Sequence, residues 1–185
     1  MCGITGFLYK PGNKHPDNHP IIKKMTDTLV HRGPDDGGTW VDEQARVALG
    51  HRRLAVLDLS PSGRQPMTSA SGRFVLVFNG EIYNHLVLRQ ELEKNVRVPY
   101  NGWRGHSDKE TLLEYIEAWG IKKSLQSSVG MFAFALWDKQ EKSLALARDR
   151  MGEKPLYYGW QNGVFLFSSE LKAMKHHPAF EGKLS

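Results

Sequence analysis

Leu156-Tyr157-Tyr158-Gly159-Trp160, Gln161-Asn162-Gly163 and Val164-Phe165-Leu166-Phe167 follow one another without interruption. Two short runs rich in aromatic and β-branched residues flank an Asn-Gly pair, which tolerates the positive φ angles of a tight hairpin turn. The segment predicts two antiparallel strands. The pattern recurs upstream, where Val129 to Trp137 and Leu144 to Ala147 flank a polar turn. Further strands are expected at Gly3 to Tyr9, Gly38 to Val41, Arg46 to Leu57 and Arg73 to Phe78.

Helical periodicity is confined to three places. Ile21, Ile22, Met25 and Leu29 recur at helical spacing and predict a helix from Pro20 to Val30. Asn84 is placed to cap a second helix carrying Leu88 and Leu92. Ser107-Asp108-Lys109-Glu110 has capping-box spacing and opens a third, which buries Leu112, Leu113, Ile116 and Trp119 and ends at Gly120. Strands outnumber helices and arrive as hairpins, which predicts an α+β fold of antiparallel sheets with helices on their outer faces.

The 185 residues fit one domain, and 40% hydrophobic with 24% charged residues is an ordinary globular composition. The longest strongly apolar run, Met131 to Trp137, is too short to cross a bilayer, and the N-terminus has no basic patch ahead of an apolar core. A cytoplasmic protein without membrane contact is expected. The net charge of +5 comes from interleaved signs, as in Arg148-Asp149-Arg150, so no nucleic-acid partner is expected. One cysteine excludes an internal disulfide, and the eight scattered histidines show no zinc-hydrolase spacing.

Three groups of residues could do chemistry. Cys2 follows the initiator methionine, and removal of Met1 would leave a thiol and a free α-amine on one residue. Such an amine can serve as general base for its own thiol. The plainer alternative is a small buried hydrophobe. Asn79-Gly80, expected just past a buried strand, could offer a side-chain amide and a backbone N–H to an oxyanion, or could be an ordinary turn. Arg53 and Asp108 could hold the carboxylate and the ammonium of a free amino acid. Alternatively they are a surface ion and a helix-dipole charge. Arg148 to Gly152 with Lys154-Pro155 reads as a salt-bridged structural corner.

Taken in order, these pieces form a recognisable series. They are Met1-Cys2-Gly3-Ile4-Thr5-Gly6-Phe7, His31-Arg32-Gly33-Pro34-Asp35, Arg53-Leu54 ahead of Gln65-Pro66-Met67, and Phe78-Asn79-Gly80-Glu81-Ile82-Tyr83-Asn84-His85. Ser107-Asp108-Lys109-Glu110, Gly130 to Ala135, Arg148 to Gly152 with Lys154 to Tyr158, and Ser168 to Lys172 continue it. The chain resembles the class II glutamine amidotransferase domain of the glutamine-dependent asparagine synthetase family, a branch of the N-terminal-nucleophile hydrolases.

The resemblance implies a four-layer αββα sandwich over residues 1–185 and hydrolysis of glutamine to glutamate and ammonia through a γ-glutamyl thioester. It implies Cys2 as nucleophile, Asn79 and Gly80 as oxyanion donors, and Arg53 for the substrate carboxylate. Asp108 and Glu81 would meet the substrate amine, and the backbone of Leu54 to Val56 would line the pocket. No cofactor is implied for this domain. ATP and magnesium would belong to a synthetase domain, which the family carries after this one and which is absent up to Ser185. The chain is thus expected to be an excised N-terminal domain, with a stand-alone glutaminase as the other option.

Its expected partners are glutamine and a synthetase domain, and homodimer formation stays open. An acylase of the same fold is disfavoured because Arg53 and Asp108 suit a free amino acid. A catalytically silent regulatory or binding module is the alternative. Lys109 departs from the family, which often has a small polar residue there, and it is expected to face solvent.

Overall fold

The computed structural model describes residues 1–12, 16–55, 63–95 and 102–182. Nine strands and four helices occur among them. They are β1 Gly3–Tyr9, α1 Asn18–Asp27, β2 Asp36–Asp42, β3 Val47–Arg53, β4 Met67–Thr68, β5 Phe74–Ile82, α2 His85–Asn95, α3 Asp108–Ser127, β6 Gly130–Asp138, β7 Ser143–Arg148, β8 Tyr157–Gln161, β9 Val164–Ser168 and α4 Leu171–Met174. One sheet has the order β2-β3-β1-β9-β8 and the other β4-β5-β6-β7, and every pairing is antiparallel.

Period-two alternation sorts the strand residues into layers. Ile4 and Phe167 of the first sheet meet Val75, Val77, Ala133, Ala135 and Trp137 of the second in a core between the sheets. The opposite face of the first sheet, with Phe7, Tyr9, Ala48, Val164 and Leu166, packs on Ile22 and Met25 of α1 and Met174 of α4. The opposite face of the second, with Phe74, Leu76, Phe78, Phe132 and Phe134, packs on Leu88 and Leu92 of α2 and on Leu112, Leu113, Tyr115 and Ile116 of α3. The result is the expected αββα sandwich.

Both hairpins read from the sequence are present, and Asn162 and Gly163 take positive φ at the second. Several boundaries differ. The Asp17 carboxylate accepts the His19 N–H, so α1 begins two residues before Pro20, and tight backbone turns at Leu29 and Val30 end it early. The Asn84 side chain caps nothing. Its amide donates to the Ser127 carbonyl and its oxygen accepts from Val129, which ties the end of α3 to α2. Ser107 accepts the Glu110 N–H as expected, yet the Glu110 carboxylate takes the N–H groups of Arg104 and Gly105 and forms no box. Gly120, non-helical at φ 78°, ends the first segment of α3 as expected, and a second segment of about two turns carries on to Ser127. β3 stops at Arg53, whereas the expectation extended it to Leu57; residues 56 and 57 lie outside the described residues.

Candidate active site

The alternation that builds the inter-sheet core also aims the candidate residues. In β1 the even-numbered residues face the second sheet, as Ile4 shows, so Cys2, one step before the strand, projects into the same space. The register pairs Gly3 with Arg52 and Ile4 with His51, which brings Cys2 beside Arg53. The Cys2 thiol lies 3.8 Å from the Leu54 carbonyl oxygen and is half-buried. From the second sheet, Val75 and Val77 enter this core, and Asn79 follows them at the same parity. Cys2, Arg53 and Asn79 therefore converge between the sheets at one end of the sandwich.

Asn79-Gly80 is not a turn. Both residues lie within β5, opposite Ala133 and Phe132. Local preference for a turn has lost to pairing with β6, which continues to Ile82 opposite Gly130. Gly80 has φ 152°, and a Cβ there would drive into the Met131 carbonyl oxygen, so the strand passes this point only with glycine.

The open edge of β5 exposes the donor that matters. Phe132 turns its N–H and carbonyl to Asp149, not to β5, so Gly80 opposite it turns its own N–H outward. Phe78 and Ile82 share that parity. The Phe78 N–H is taken by the Gln65 side chain at 2.6 Å and the Ile82 N–H by Asp108 at 3.0 Å. Gly80 stands between these two filled positions. Beside it the Asn79 amide nitrogen is fully buried and has no hydrogen-bond partner. A buried unpartnered donor is costly, about 1–3 kcal/mol, and a ligand or water that accepts from it offsets that cost. Two successive residues of β5 thus each carry a donor without a partner among the described residues.

The remaining candidates divide. Arg53 is buried at the end of β3. Asp108 is buried at the start of α3, and its Oδ2 holds Ile82, two residues beyond Gly80. Glu81 lies on the strand between them and is half-buried. Leu54 contributes its carbonyl oxygen beside the thiol, and Val56 lies outside the described residues. Lys109 does not face solvent. Its ammonium donates to Asp108 Oδ1 at 2.7 Å and sits 5.8 Å from the centre of the Phe78 ring.

Four supporting residues had no role assigned from the residues themselves. Arg32 donates its Nε to the Cys2 carbonyl at 2.9 Å and is held in turn by Glu170 at 3.0 Å. Burial pushes the Glu170 carboxyl up, but hydrogen bonds from His31, Arg32 and Lys172 outweigh it and hold the group at about 2. Asp35 accepts the Ala55 N–H, while its own N–H donates to the Arg53 carbonyl, fixing the backbone below the thiol. Gln65 continues the sheet where β4 stops, bonding both the N–H and the carbonyl of Phe78. The only sequence signal for the first three was their place in the quoted motifs. The corner at Arg148 to Pro155 is structural, but hydrogen bonds to backbone hold it and not the expected salt bridge: Asp149 accepts N–H groups from Phe132, Glu153 and Lys154, and Arg148 donates to the Lys154 carbonyl.

The fourth is His51, fully buried against the Phe78 carbonyl. Burial drives its imidazole down to about 3; the Phe78 bond opposes this, and the charges of Lys109 and Arg53 add to it. An unfolded histidine binds a proton near pH ~6.5 and the folded one does not, so stability is full above that value and falls as pH drops from ~6.5 toward 3. The slope is about 1.4 kcal/mol per pH unit for one such site. Urea midpoints measured between pH 7 and 5 should fall more steeply for the parent than for His51→Asn. Equal slopes would mean that His51 is not buried neutral.

Among the described residues no cluster of three or more His, Cys, Asp or Glu is placed to hold a metal, and no helix is long and apolar enough to cross a membrane.

Known proteins match this chain. The family model for the glutamine amidotransferase domain matches residues 1–185. Asparagine synthetase (glutamine-hydrolyzing) 3 of Bacillus subtilis (strain 168) is 38% identical over 187 residues, covering 100% of this chain and 29% of its own. Asparagine synthetase (glutamine-hydrolyzing) 1 of the same organism is 38% identical over 180 residues, covering 94% of this chain and 26% of its own. The chain thus spans less than a third of the length of these two relatives. Two solved structures share the fold at 22% identity. One, described as the allosteric regulatory enzyme of purine biosynthesis, has a TM-score of 0.78 and covers 95% of this chain and 43% of its own. The other, glutamine phosphoribosylpyrophosphate amidotransferase from B. subtilis with ADP and GMP, has a TM-score of 0.74 and covers 94% of this chain and 43% of its own.

Proposed function

Because this chain belongs to the glutamine amidotransferase domain family, we propose that Cys2, freed of Met1, hydrolyses glutamine to glutamate and ammonia. The observation that supports this reading is the pair of unclaimed donors, Asn79 Nδ2 and the Gly80 N–H, on β5, with Cys2 leading the central strand of the other sheet. Met1 is 57% exposed, so its removal disturbs little packing.

The α-amine of Cys2 takes the thiol proton, directly or through one water, and the thiolate attacks the side-chain carbonyl of glutamine. Its carbonyl π electrons move to oxygen, and the oxyanion is held by Asn79 and Gly80. The tetrahedral intermediate collapses, the amine nitrogen leaves with the proton held by the Cys2 ammonium, and ammonia departs. Water then attacks the γ-glutamyl thioester, the Cys2 amine accepting its proton, and glutamate and the free thiol are restored. Arg53 takes the substrate carboxylate, and Asp108 with Glu81 takes its ammonium. The backbone at Leu54 lines the pocket. The reaction as written uses no metal or organic cofactor.

The longer relatives named for asparagine synthesis support a further step. In a full-length protein, the ammonia would pass to a synthetase domain that activates a carboxylate acceptor with ATP and magnesium. The test is to supply the Met1-processed chain with glutamine, aspartate, ATP and magnesium. Glutamate should form without asparagine and without ATP consumption. Absence of glutamate from a correctly processed N-terminus would overturn the reading and favour a silent binding module.

A further inference from the structure

We propose that Lys109 is an internal competitor at the amine subsite: its ammonium occupies the Asp108 oxygen that the α-ammonium of glutamine needs, and substrate enters by displacing it. The proposal rests on the reading of Asp108 as the amine contact.

Asp108 has two carboxylate oxygens, and both are engaged. Oδ2 accepts the Ile82 N–H, a bond that ties α3 to the end of β5 and cannot be released without moving the strand. Oδ1 accepts only mobile partners, and Lys109 holds it at 2.7 Å. The carboxylate side chain is 9% exposed, so little room is left for a second cation while Lys109 stays.

The contact is not one a helix makes by default. Successive residues on a helix do not face each other, so the lysine stem must curl back over the Phe78 ring to reach its neighbour. A cation in the first turn also opposes the helix dipole. Lys109 therefore does nothing for α3 that a small polar residue would not do better. What it does is cover the carboxylate. Its own side chain is 23% exposed, which leaves a way out to solvent when a better-placed ammonium arrives.

A site closed for most of the time loses apparent affinity by the fraction that is open. Lys109→Met keeps the stem and removes the charge. On the Met1-processed chain it should lower KM for glutamine about three- to tenfold. Lys109→Gln should do the same. Inhibition by glutaramate, which lacks the α-ammonium and has no need of Asp108, should change by less than about twofold. Calorimetric glutamine binding on the Cys2→Ala background reads the same shift without turnover.

A KM that is unchanged or raised in both Lys109 variants overturns the proposal. So does an equal gain for glutamine and glutaramate, which would mean that Lys109 blocks the pocket and not the amine. Asp108→Asn separates this from failure of the underlying reading. If it raises KM while the Lys109 variants do not lower it, Asp108 is the amine contact and Lys109 does not compete. If Asp108→Asn leaves KM alone, the amine contact is elsewhere and both ideas fall.

Discussion

Replacing Cys2 by alanine abolishes glutamate release, with kcat expected to fall on the order of 10⁴-fold or more, as loss of a covalent nucleophile does in other acyl-transfer enzymes. The fall should appear in kcat and kcat/KM alike, because on the proposed reading Arg53 and Asp108 still bind glutamine. Cys2→Ser should recover little, since a hydroxyl is far harder to deprotonate than a thiol and the same amine must do it. A preparation that retains Met1 should be equally inactive. There the nitrogen of Cys2 is a peptide nitrogen, with no lone pair to offer as base. Full turnover by Met1-retaining protein would falsify the amine-as-base mechanism while leaving the nucleophile in place.

Asn79→Ala is the second large effect. Removing one oxyanion donor lowers kcat by about 10²–10³, or roughly 3–4 kcal/mol of barrier. KM should move little, because on the proposed reading the donor meets an oxygen that carries full charge only after attack. Stability should behave in the opposite way to most core substitutions. The Asn79 amide nitrogen is buried without a partner, so its loss relieves a desolvation cost that offsets the small cavity left behind. The melting temperature should hold or rise. An enzyme less than tenfold slower, or one that is slow only because it unfolds, would remove Asn79 from the oxyanion site.

The strands and helices that could be read from the sequence are those whose reasons are local. Asn162-Gly163 makes its turn whatever surrounds it, and Ser107 caps α3 with an oxygen three residues from its donor. Asn79-Gly80 carries the same dipeptide as the hairpin turn, yet it is strand, because Ala133 and Phe132 wait opposite it on β6. Nothing within five residues of Asn79 announces that. β4, two residues long, is too short for any periodicity, and Gln65 beyond it supplies with a side chain what a longer strand would supply with backbone.

The site divides along the same line. Cys2, Arg53 and Asp108 were readable as chemical types, and the motifs put them in order. What holds them was not. Arg32 and Glu170 are separated by 138 positions in the chain, and their contact exists only once β1 and β9 are adjacent. Lys109 was assigned to solvent on the ordinary habit of lysines. Its direction depends on an aromatic ring and a carboxylate that the fold places beside it.

β1 sits in the middle of its sheet, between β3 from the early part of the chain and β9 from the late part. A ribosome delivers β1 first and its second neighbour only after residue 164 has emerged. Until then the first strand has one free edge. Non-local pairing of this kind forms late and slowly. An order of assembly is built into the topology: β1 can pair with β3, which carries the neighbours of Cys2, long before β9 arrives to cover its other edge from Thr5 to Tyr9.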